Sequence, residues 1–97
     1  MTHFNRFFTQ LMERATINQS ELARQAGTTW PCLWKWSTKP IRPKLDTLYK
    51  VCVILAPYVG STPQNLLIEA NKALVEDFLA DVDSGLILQD FMDGQNA

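Results

Sequence analysis

An all-α fold, a compact bundle of five helices, is what this sequence predicts, and three observations predict it. Apolar residues recur at helical spacing in successive segments, first at Phe4, Phe7, Phe8, Leu11 and Met12. Caps and breakers separate those segments, with Asn18, Gly27, Pro40, Pro43, Pro57 and Pro63 at the junctions. The chain has 97 residues, 46% of them apolar, enough for one core that buries about two-thirds of the unfolded surface and too little for two. Residues 1–62 form the core, with its central motif at 18–37. Residues 63–97 add a C-terminal helix and an acidic tail to the same domain, as a dimerisation element.

The first helix starts at a Thr2 cap, and its five large apolar residues on one face read as core rather than as an aromatic binding box. Arg6 and Arg14 lie off that stripe, open to phosphate contact or to solvent alone. The stretch Asn18 to Trp36, NQSELARQAGTTWPCLWKW, then reads as two short helices joined at a glycine. Asn18 caps the first of them, and Glu21, three residues on, is placed to reach back to the cap's amide in a capping-box variant. Gly27 supplies the left-handed residue that ends this helix. Thr28 or Thr29 caps the second helix, which runs from Trp30 to Ser37 and tolerates Pro31 because first-turn amides have no intrahelical partner to lose. Leu33 and Trp36 point inward.

Gln19, Leu22, Ala23, Gly27, Leu33 and Trp36 stand at the spacing of the helix-turn-helix of the lambda-repressor-like, or Cro/repressor (XRE), family, which this stretch resembles. Each has a mechanical reason. Ala23 lets the two helices cross closely, Gly27 makes the turn, and Leu22, Leu33 and Trp36 wedge the pair onto the remaining core. The family commonly carries Glu and then Gly where this chain has Ser37 and Lys39, a departure at the exit of the second helix. After the loop from Ser37 to Lys44, a fourth helix from Lys44 to Leu55 corresponds to the family's next helix. Leu45, Leu48, Tyr49, Cys52 and Leu55 form its expected inner face, and Pro57 its expected end. A fifth helix, capped at Ser61 or Thr62 with Pro63 in first position, runs to Val82, past the short closing helix of a minimal family member. Gly85 interrupts it, and Leu86, Ile87, Leu88, Phe91 and Met92 form a last apolar cluster before a disordered end from Gly94.

Charge divides the chain. Residues 1 to 60 carry eight bases against three acids, and residues 61 to 97 carry one base against seven acids, so +5 and -6 give the net -1. The helix-turn-helix half is basic, as phosphate binding requires, and the tail is acidic. No apolar run approaches the ~20 residues of a membrane span, and the N-terminus has no leader pattern, so a cytoplasmic protein is expected. Cys32 and Cys52 read as free thiols in apolar helical patterns rather than as a disulfide. His3, near a frayed terminus, has no partner set for a metal or a nucleophile, so no metal and no cofactor are expected.

In the resembling family the second helix of the motif enters the major groove of double-stranded DNA. Carried over position by position, this gives base contacts from Thr29, Trp30, Pro31, Trp34 and Lys35, with Gln19 at the start of the preceding helix. Asn18, Arg24, Lys39, Arg42 and Lys44 are the corresponding phosphate contacts. Trp30 and Trp34 are anomalous on a face that reads base edges, and three readings compete. They contact thymine methyls, they pack against the first helix or the proline-rich loop, or they form a patch for a protein partner. The acidic C-terminal part is repelled by phosphate. Its stripe of Leu74, Phe78, Leu79, Val82, Leu86 and Ile87 reads as a homodimer interface, with folding back as extra core the alternative. Function follows: a sequence-specific DNA-binding regulator, a repressor on a pseudo-palindromic operator, or, from a different class, an adaptor, antirepressor or antitoxin that grips a protein. An enzyme is not indicated, since Asp77, Asp81 and Asp83 read as a solvated face.

Overall fold

The computed structural model describes residues 1–83, and within them five helices and no strand. They are α1 (His3–Ala15), α2 (Gln19–Ala26), α3 (Trp30–Thr38), α4 (Leu45–Val59) and α5 (Pro63–Asp83). Helix α1 packs on α3, α4 and α5, while α2 packs on α3 and α4. No single described helix is long and apolar enough to cross a membrane.

Local sequence accounts for most boundaries. Thr2 and Asn5 form a full capping box at α1, each side chain accepting from the other's amide at 3.0 Å. Asn18 Oδ1 accepts from the Glu21 amide at 2.7 Å, and Gly27, at φ 69°, closes α2. Glu21 does not complete the expected box. Its carboxylate is taken by the Arg24 guanidinium, one bond at 3.0 Å, and by Gln25 at 2.9 Å. A cationic partner one turn on offers a charge-assisted bond that the cap's amide cannot match. Thr29, rather than Thr28, caps α3 by accepting from the Cys32 amide. Thr62 caps α5, with Pro63 in first position as expected.

The core joins the aromatic stripe of α1 to the inner face of α3. Phe4 and Phe8 meet Trp36 edge-on, with ring centroids 5.8 and 5.3 Å apart, a favoured aromatic geometry. Leu22, Leu33, Leu48, Leu55 and Leu66 complete it, all essentially without exposure. Cys52 is buried within it and Cys32 is half-buried at α3, both as free thiols.

Helix α4 departs from expectation in two ways. Its buried stripe is Leu48, Val51, Cys52, Leu55 and Ala56, whereas Leu45 and Tyr49 are exposed. Tyr49 lies ~100° around the helix from Leu48, outside that stripe, and Leu45 opens the helix at its exposed end. Pro57 does not end α4, which continues through it to Gly60 at φ 66°. A proline here leaves the Val53 carbonyl without its usual amide, and Val53 is exposed, so water can take that place.

The acidic C-terminal helix is tied back to the core rather than merely solvated. Asp77 accepts from the amides of His3 and Phe4 at 2.6 and 3.1 Å, satisfying two orphan donors at the N-terminus of α1. His3 Nδ1 lies 3.1 Å from Glu76, so this end of the chain is pinned and not frayed. Asp81 pairs with Arg42 at 3.3 Å.

Candidate nucleic-acid interface

Helix α3 presents its outer face between two clusters of predicted site residues. On one side, Thr29, Pro31 and Lys35 line a groove of about 440 Å³ whose opposite wall is Arg42, Pro43 and Lys44 from the loop. Three cationic residues thus line one groove between α3 and the loop, with the capping threonine of the α3 N-terminus among its walls. The uncapped amides and dipole of a helix N-terminus favour an anion there, and the groove adds full charges to that field.

The other flank carries the tryptophans. Trp30 opens α3 and Trp34 follows one turn later, with ring centroids 6.4 Å apart and planes 31° from parallel. They remain 48% and 40% exposed, so a substantial part of each ring faces outward. The Lys39 ammonium sits 5.7 Å above the Trp34 ring, a cation-π contact that holds a loop cation beside α3.

Two side chains fix the frame of α3. Gln19 Nε2 donates to Ser37 Oγ at 3.0 Å, tying the start of α2 to the last turn of α3. This uses the residue that departs from the family's usual Glu. Asn5, 1% exposed, donates through Nδ2 to the carbonyls of Trp36 and Lys39 at 2.7 and 2.8 Å. The Trp36 carbonyl would otherwise be an orphan at the helix end, while the Lys39 carbonyl also accepts from the Ile41 amide at 2.8 Å. Lys39 leaves the helix extended, at φ -119° and ψ 151°, so the exit needs no left-handed glycine.

The remaining phosphate candidates sit outside the groove. Asn18 is exposed, with its side-chain oxygen engaged in the α2 cap. Arg24 is exposed and held by Glu21, whose carboxyl its guanidinium and then Gln25 pull down to about 2, while Glu21 in turn raises Arg24. Arg14 reaches the Val59 carbonyl at the end of α4. Arg42 faces two ways, lining the groove while its guanidinium lies over the Phe78 ring at 5.5 Å and against Asp81.

The expected dimer stripe is only partly together. Leu74 packs against the core, Phe78 is 40% exposed beneath Arg42, Leu79 is 51% exposed and Val82 is half-buried. Leu86 and Ile87, with the Gly85 break and the last apolar cluster, lie outside the described residues. Ile68 and Val75, unremarked in the sequence, share Leu79's side of α5 and are 65% and 54% exposed.

The family model for the Cro/C1-type HTH DNA-binding domain matches residues 8–56, just over half of the chain and all of α2, α3, the loop and nearly all of α4. No curated protein and no solved structure matches the chain. Because the matched span contains the Asn18-capped helix, the Gly27 turn and the whole of α3, the chain belongs to the Cro/C1-type helix-turn-helix family of DNA-binding domains.

Proposed function

We propose that the chain is a sequence-specific transcriptional regulator, a repressor that occupies a pseudo-palindromic operator as a homodimer. The carrying observation is the groove that sets Thr29, Pro31 and Lys35 of α3 opposite Arg42 and Lys44 of the loop. With α3 in the major groove, Gln19, Thr29, Trp30, Pro31, Trp34 and Lys35 face base edges, and Asn18, Arg24, Lys39, Arg42 and Lys44 face phosphates. The exposed side of α5, Leu79 with Ile68 and Val75 and flanked by Phe78 and Val82, supports pairing of two protomers. Pairing would set the two recognition helices about 34 Å apart, one DNA turn.

Anisotropy titration of labelled duplexes from a random pool, with mass measured in solution, tests this reading. Binding that weakens steeply with salt and a complex of two chains per site support it. Absence of duplex binding at low salt refutes it.

The half-exposed tryptophans favour one second reading, a protein-interaction module on the same scaffold. Changing Trp30 and Trp34 together to Ala separates the two. Loss of a protein partner with intact DNA affinity favours the module, and loss of DNA affinity with the fold retained favours the regulator.

A further inference from the structure

We infer that Trp30 and Trp34 act as one apolar shelf that reads the C5-methyl groups of consecutive thymines, so that the chain selects A·T runs with their thymines on one strand. This rests on the proposed entry of α3 into the major groove.

The geometry suits the task. The ring centroids are 6.4 Å apart with the planes tilted by 31°, so the two indoles adjoin as one apolar patch. Stacked bases repeat every ~3.4 Å along a strand, so the pair of indoles covers two to three successive base pairs. Each ring is about half exposed on the outer face of α3, at its first residue and one turn on, where such a helix meets base edges.

The chemistry narrows the choice. An indole has one N–H donor and no acceptor, so two of them cannot read the donor and acceptor code that distinguishes all four pairs. What they distinguish is apolar surface, and thymine alone among the ordinary bases carries a methyl group in the major groove. Cytosine at the same place presents an amino group that the shelf would desolvate without an acceptor, which adds rejection to attraction. The indole N–H remains compatible with the thymine O4 acceptor.

The surroundings select nucleic acid as the occupant. Lys39 lies over Trp34 and Lys35 lies next to it in sequence, within a half of the chain that carries eight bases against three acids. An apolar shelf edged by cations fits a ligand with methyl groups inside and phosphates at its rim.

The test replaces the thymines of a selected duplex with deoxyuridine, which keeps every polar atom of the base pair and removes only the methyl. Affinity is compared by anisotropy at one salt concentration. Burial of one methyl-sized group corresponds to about a fourfold change in binding constant, and two methyls to about fifteenfold. The expected result is a loss of that size for uracil within the run, none outside it, and a ratio near one for the Trp30→Ala, Trp34→Ala double variant. Equal affinity of the natural chain for thymine and uracil duplexes overturns this inference and leaves the regulator reading standing. So does a double variant that still discriminates them. Failure to bind any duplex at low salt overturns both.

Discussion

Replacing Asn5 with alanine removes the side chain that joins the start of α1 to the end of α3. Three hydrogen bonds disappear, from the Thr2 amide at 3.0 Å and to the carbonyls of Trp36 at 2.7 Å and Lys39 at 2.8 Å. The Trp36 carbonyl is buried and cannot recover a water partner easily, at a cost of about 1–3 kcal/mol, while the two part-buried bonds contribute about 1 kcal/mol each. Alanine's better helix propensity returns roughly 0.5 kcal/mol. The net loss is about 3 kcal/mol, and for a domain of this size it lowers Tm by about 12–24 °C. Thermal melts followed by circular dichroism measure it. Below the melt, DNA affinity should fall as well, because the last turn of α3 and the basic loop lose their common anchor. A variant within about 1 kcal/mol of the natural chain would refute the assignment of Asn5 as the link between these elements.

Glu21, held down to about 2 by Arg24 and then Gln25, stabilises the fold above its unfolded pKa, near 4.5, and loses that contribution as pH falls towards 2. The natural chain should therefore lose more stability than Glu21→Gln between pH 5 and pH 2. Parallel urea curves at both pH values would disprove this. Asp81→Asn releases Arg42 from an exposed pair worth up to about 1 kcal/mol. Duplex affinity should rise by up to about fivefold and the salt dependence steepen, whereas weaker binding would contradict the competition between Asp81 and phosphate. Burial pushes the Cys52 thiol up to about 11, while Cys32 is only half-buried. Alkylation of the native chain at pH 8 should label Cys32 first, as mass spectrometry of the peptides can check; prior labelling of Cys52 would show that the core opens readily.

What was legible in the sequence is what short-range chemistry decides. The Thr2, Asn18 and Gly27 signals, the Pro63 start of α5 and the stripe of Phe4, Phe8 and Leu11 each depend on neighbours within a few residues. The family spacing of Leu22, Ala23, Leu33 and Trp36 located the motif for the same reason. Asn5 was half visible, since Thr2 and Asn5 have capping-box spacing. Its second task, holding carbonyls more than thirty positions away, has no local signature. Asp77 reads as solvated from the sequence alone because its partners, the amides at the start of α1, lie at the other end of the chain. Pro57 misled for a different reason: a breaker within the last turn of a helix costs one hydrogen bond that solvent can replace, and the packing of Leu55 and Ala56 outweighs it. Among site residues, Thr29, Pro31, Lys35, Arg42 and Lys44 line one groove. The double engagement of Arg42 could not be foreseen without knowing where α5 returns.

The most direct test of DNA recognition through α3 and the basic loop is the salt dependence of duplex binding. Four cations, Arg24, Lys39, Arg42 and Lys44, are assigned to phosphates, so the logarithm of the association constant should fall against the logarithm of salt concentration with a slope of about -3.6 per protomer. Arg42→Ala and Lys44→Ala should each flatten that slope by about 0.9. A slope near zero, or one unchanged by both substitutions, would contradict phosphate binding by this loop.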